Sequence, residues 1–86
     1  MTLGSGHRRT LDAVFRDPVS ATIRWRDVEA LLSAAGAEVL EGRGSRVRFQ
    51  LGEVRATFHR PHPRKEAKPY QIRDVRQFLS AAGVKP

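Results

Sequence analysis

The sequence contains no cysteine. Disulfides, thiolate zinc sites and a catalytic thiol are thereby excluded, and a reducing cytoplasm is the compartment the chain fits. No apolar run approaches the ~18 residues that a membrane span needs. The opening stretch, MTLGSGHRRT, lacks the apolar core of a secretory signal and is not expected to be one. Aromatic residues make up only 7% of the chain, and no exposed pair of them is expected on a strand face. Stacking of bases on surface aromatics is therefore not the expected mode of any nucleic-acid contact. Acidic residues are scarce: 9 Asp and Glu stand against 16 Lys and Arg, a formal net charge of +7. Such an excess on a small domain suits a polyanionic partner, nucleic acid or an acidic protein. The plainer alternative is an arginine-rich, solvated surface that serves only solubility.

What is present is enough for one core. At 86 residues and 40% hydrophobic, the chain reads as a single globular domain. Thr10 is a plausible cap for a short helix reaching about Arg16, with Leu11, Val14 and Phe15 as its apolar side. Asp17-Pro18 ends it, and residues 1 to 9 read as disordered. Trp25, Val28, Leu31, Leu32 and Ala35 recur at helical spacing, so a second helix runs from about Arg24 to Ala35, with Gly36 as its cap. The period then drops to two. Ala37 to Glu41 reads as a short strand. Val47, Phe49 and Leu51 alternate with Arg46, Arg48 and Gln50, and Val54, Ala56 and Phe58 alternate with Arg55, Thr57 and His59 across a Gly52-Glu53 link. A basic, proline-rich loop, RPHPRKEAKP, leads to a last helix from about Tyr70 to Ala82, with Ile72, Val75, Phe78 and Leu79 inward.

The expected fold is α+β, in two layers. An α-β-β-β-α core carries a three-stranded antiparallel sheet, with an extra N-terminal helix; residues 1–22 form an extension and 23–86 the domain proper. The helices cover the Val47, Phe49, Val54 and Phe58 side of the sheet. Arg46, Arg48, Arg55, Thr57 and His59 then share the uncovered side. The element order is that of double-stranded-RNA-binding domains.

Several residues carry a closer resemblance. The Gly44-Ser45 turn opening the second strand, the loop His62-Pro63-Arg64-Lys65-Glu66-Ala67 and the closing Ala82-Gly83-Val84 together resemble the HicA family of bacterial toxins. The likeness covers about Ile23 to Val84, and its loop and helix are more specific than its turn. It implies a small toxin that cleaves messenger RNA without a metal or other cofactor, and that a HicB-type antitoxin neutralises. The family places a catalytic histidine directly after the Gly-Ser turn, and in this chain that position is Arg46.

Cleavage of RNA by its own 2′-hydroxyl needs a base, an acid and positive charge on the phosphorus centre. Imidazole suits the proton transfers because it titrates near neutrality. Guanidinium does not titrate usefully, but grips phosphate in a bidentate manner. His59 and His62 are therefore the candidate catalytic residues. Arg46, Arg48, Arg55, Arg60, Arg64, Lys65 and Lys68 are the candidate RNA- or phosphate-binding residues. The loop cations also suit docking of an acidic protein, and the loop prolines lower the entropy lost on binding. His59 and His62 share an HxxH spacing, but no Cys or acidic partner falls nearby to complete a metal site. Three functions fit these residues: an RNA-cleaving toxin, a non-catalytic RNA-binding module of the same fold, and a surface used only to bind an acidic antitoxin. RNA and the antitoxin are the expected partners.

Overall fold

The computed structural model describes residues 3–86. Its elements follow the changes of hydrophobic period: helices α1 (Ser5–Val14) and α2 (Trp25–Ala34), strands β1 (Glu38–Glu41), β2 (Arg46–Leu51) and β3 (Val54–His59), and helix α3 (Pro69–Ala81). The strands form one antiparallel sheet in the order β1-β2-β3. Val47 and Phe49 are fully buried and Phe58 is 4% exposed, while their sequence neighbours Arg46, Arg48, Thr57 and His59 are exposed. The helices thus pack on one side of the sheet and leave the other open, as the alternation requires.

Phe58 is the centre of the core. Its ring lies 5.7 Å from that of Trp25, 6.2 Å from Phe49 and 6.0 Å from Phe78, so one β3 side chain touches α2, β2 and α3. These tilted and edge-on geometries are the favoured ones for aromatic pairs.

Helices α2 and α3 end on the same four residues, Ser-Ala-Ala-Gly, and in the same way. Gly36 and Gly83 take positive φ values of 103° and 81°. After them, Ala37 N–H donates to the Leu32 carbonyl at 2.9 Å, and Val84 N–H to the Leu79 carbonyl at 2.8 Å. This is the six-to-one closure of a Schellman motif, in which glycine takes the left-handed position without a Cβ clash. The residue after each glycine, Ala37 or Val84, is buried against the core.

The first helix departs from the sequence expectation. It starts at Ser5, with Gly4 at the cap position and no side-chain cap bond. Thr10 is not the cap: it lies inside the helix, where its hydroxyl donates to the Gly6 carbonyl at 3.2 Å. The cause is tertiary, because packing stabilises most protein helices more than their local signals do. Leu3, Leu11 and Val14 join the same hydrophobic cluster as α2, α3 and the sheet. His7 is accordingly half-buried in the first turn of a helix rather than part of a disordered tail; Met1 and Thr2, also read as disordered, lie outside the described residues.

A second anchor holds the C-terminal end of α1. Arg76 of α3 donates from Nε to the Val14 carbonyl at 3.0 Å and from Nη2 to the Arg16 carbonyl at 3.0 Å. Its Nη1 meets Asp17 Oδ1 at 3.2 Å. The guanidinium also sits 5.9 Å from the centre of the Phe15 ring. One side chain thereby satisfies carbonyls that a helix end leaves without partners. Arg76→Ala is expected to destabilise the domain by about 1–2 kcal/mol and to lower Tm by roughly 5–10 °C, measured by thermal unfolding. Arg76→Lys recovers little of this, since an ammonium does not reproduce the fork.

Candidate nucleic-acid interface

The uncovered sheet side is ordered by cross-strand register. Arg46 pairs with His59, Arg48 with Thr57 and Gln50 with Arg55. Side chains directly opposite on antiparallel strands share a face about 4.5–5.5 Å apart at Cβ. Three arginines, a threonine and a histidine therefore occupy adjoining positions, as the alternation predicts. On the neighbouring strand, Leu40 lies beside Arg48 and Glu38 beside Gln50.

A surface cavity of about 500 Å³ opens on this face, lined by Gly42, Arg43, Arg46, Arg48 and Thr57. The turn before β2 shapes it. A Cβ on Gly42 would lie 3.0 Å from the Arg46 carbonyl oxygen, so a side chain there would force the turn and the strand slightly apart. Arg43 is the cavity residue that sequence reasoning missed. It lies in the turn before β2, outside the strand alternation that marks Arg46 and Arg48. The lining contains three guanidinium groups and no carboxylate.

The structure divides the other candidates. Arg55 lies further along the same face and donates from Nε to Gln50 Oε1 at 3.1 Å. Arg60 is turned the other way. Its Nε donates to Glu29 Oε2 at 2.8 Å and its Nη2 lies 3.5 Å from Glu41 Oε1, so it ties the end of β3 to α2 and β1. Hydrogen bonding to Glu29 pushes the Arg60 pKa up from its ordinary value. Trp25 Nε1 donates to the same carboxylate oxygen of Glu29. Arg64 and Lys65 line a separate cavity of about 370 Å³ at the start of α2. Lys68 sits at the entry to α3 with an exposed side chain, and His62 is exposed in the loop; neither lines either cavity. Of the two candidate histidines, the register brings only His59 against Arg46.

The strand end that carries His59 is held by a residue the sequence reading passed over as merely helical. Gln71 is 3% exposed. Its Nε2 donates to the His59 carbonyl at 2.5 Å, and its Oε1 accepts from the Lys68 backbone N–H at 2.9 Å. The available signal was a glutamine at the third position of a helix that begins with proline, the place from which a side chain reaches back to the cap. The Arg60 N–H donates to the Ser45 carbonyl at 2.8 Å and completes the frame on the β2 side. Gln71→Ala is expected to lower stability by about 1–3 kcal/mol, because it leaves buried polar groups without partners. It should also speed amide exchange at residues 58–60 more than in β1.

Among the described residues no group of three or more histidine and acidic side chains comes together as a metal site. No helix among them is long and apolar enough to cross a membrane. A family model described as HicA toxin of bacterial toxin-antitoxin matches residues 25–84. The chain belongs to the HicA family. No curated protein and no solved structure matches it. The HicA match begins at the first residue of α2 and ends just after the cap of α3, so it spans the sheet, the sheet-face cavity, the basic loop and the lining of the second cavity except Arg24; α1 precedes it. Membership makes this chain a toxin-family protein and implies an antitoxin as its partner. Within the HicA segment, the strand position after the Gly-Ser turn is Arg46, on the cavity wall and opposite His59.

Proposed function

We propose that this HicA chain is the toxin of a HicAB-type pair, and that it binds messenger RNA on the uncovered sheet face and cleaves it without a metal. The observation that carries the reading is the cross-strand pairing of His59 with Arg46, which lines a cavity together with Arg43 and Arg48. The guanidinium groups hold the scissile phosphate and stabilise charge as it develops on the non-bridging oxygens. His59 takes the proton of the 2′-hydroxyl as its oxygen attacks phosphorus. The bond from phosphorus to the 5′-oxygen breaks, and that oxygen leaves with a proton. His62, three residues along the chain, is the candidate donor. The products are a 2′,3′-cyclic phosphate and a free 5′-hydroxyl. Arg55 and Lys68 extend the positive surface along which the strand runs, in cytoplasmic surroundings. A HicB-type antitoxin with an acidic face would neutralise the toxin by covering this surface.

One observation favours a second reading, an RNA-binding module of the same fold that has lost its chemistry. Among the described residues, no side chain hydrogen-bonds to the His59 imidazole to orient it, and the family's histidine position is arginine. The two readings part in the cell. Induced production of the chain in a bacterial host should shorten mRNA half-lives and then stop amino-acid incorporation. Arrest of synthesis with intact mRNA would leave the binding module standing and remove the nuclease.

A further inference from the structure

The cavity of about 370 Å³ at the start of α2 is the strongest feature that the sheet-face site does not use. Four cations line it: Arg24 and Arg26 from the beginning of α2, and Arg64 and Lys65 from the loop. None of these four side chains makes an ion pair among the described residues, and no acidic residue lines the cavity. Arg60 also borders it, but Glu29 and Glu41 already neutralise that side chain. Pro61, Pro63 and the edge of Trp25 supply the apolar part of the wall.

The cations are gathered by a fixed frame. The Trp25 N–H donates to the Lys65 carbonyl at 2.8 Å, and the Ala67 N–H to the Ile23 carbonyl at 2.8 Å, with Ala67 itself 1% exposed. These bonds pin the loop against residues 23–25 and set the two pairs of cations across from each other. Like charges held together in this way repel, and a bound anion relieves that repulsion. The cavity is also continuous in the chain with the sheet-face site. Arg46 of the first cavity is paired in register with His59, and the next residue, Arg60, borders the second.

We propose that this cavity is a second phosphodiester subsite, which takes a phosphate and part of the attached nucleoside from the same single RNA strand that enters the sheet-face site. The inference rests on the RNA-binding reading above. A polynucleotide is favoured over an acidic peptide because the proposed RNA site adjoins this cavity across the His59–Arg60 step at the end of β3. It can therefore fill two neighbouring cationic cavities in a single pass, with a sugar or base resting on the prolines.

The test uses the double variant Arg24→Ala/Arg26→Ala beside Arg46→Ala/Arg48→Ala, after confirming by circular dichroism that both fold. Arg24 and Arg26 have exposed side chains without ion pairs, so their truncation leaves the core intact. Affinity for a twelve-nucleotide single-stranded RNA and for a dinucleotide is measured over a range of salt. The α2 variant should bind the long RNA about tenfold more weakly, with a salt slope smaller by about 0.7 for each phosphate it no longer neutralises. It should bind the dinucleotide as wild type does. If it binds both as wild type does, while the sheet variant is weakened, the second subsite is refuted and the sheet-face reading survives. If neither variant alters RNA binding, both fall. If polyglutamate of matched charge displaces the long RNA from wild type but not from the α2 variant, the cavity belongs to an acidic protein and the proposal is overturned.

Discussion

His59→Ala is expected to slow RNA cleavage by about 10²–10⁴-fold, the usual contribution of a positioned proton-transfer group, while RNA affinity stays near that of wild type. His59 is exposed on the open side of β3, directly opposite Arg46, with its backbone carbonyl tied down by Gln71. Its imidazole makes no contact on which the fold depends, so its truncation removes chemistry and little else. Arg46→Ala should behave differently. It removes a wall of the cavity, so binding weakens and the salt slope falls together with the rate. Single-turnover cleavage measured beside equilibrium binding separates the two patterns. His62→Ala is the informative companion: a loss as large as that of His59→Ala assigns the second proton to the loop, and an unchanged rate assigns it to solvent.

Phe58→Ala should be the most damaging change to the fold, at about 3–5 kcal/mol. Domains of this size have only about 5–15 kcal/mol of total stability, so the variant should be largely unfolded at growth temperature. Few other side chains touch as many elements at once: Phe58 meets the rings of Trp25, Phe49 and Phe78, and its loss opens a void between sheet and helices. Phe58→Leu keeps most of the volume and should cost well under half as much. Denaturant unfolding measures both, and the ratio between them reports whether ring packing or mere volume holds the layers together.

Much of this arrangement was legible in the sequence because strand alternation leaves no freedom. Once Val47, Phe49 and Phe58 were placed inward, Arg46, Arg48, Thr57 and His59 had to share the other side. The two Ser-Ala-Ala-Gly helix ends were equally plain. The start of α1 was not: Thr10 offers a cap-type residue in what proves to be mid-helix, and the helix is held by the burial of Leu11 and Val14 against elements far along the chain. Arg60 looked like one more loop cation. Its partners Glu29 and Glu41 come from α2 and β1 and could not be found without the fold. Arg24 and Arg26 carry no signal of their own in the sequence; the backbone bonds of Trp25 and Ala67 are what bring the basic loop beside them. The family likeness was carried by the loop and the last helix, and it placed Arg46 where the family keeps histidine; only the register showed that a histidine stands across from it.

That exchange makes one measurement decisive. The purified chain should be incubated, in the presence of a chelator, with an end-labelled single-stranded RNA and with the same oligonucleotide lacking 2′-hydroxyls. The RNA should be cut to products with cyclic phosphate and 5′-hydroxyl ends, and the deoxy strand should be bound but left whole. RNA that is bound yet never cut, by the chain alone or with translating ribosomes, would contradict the nuclease reading.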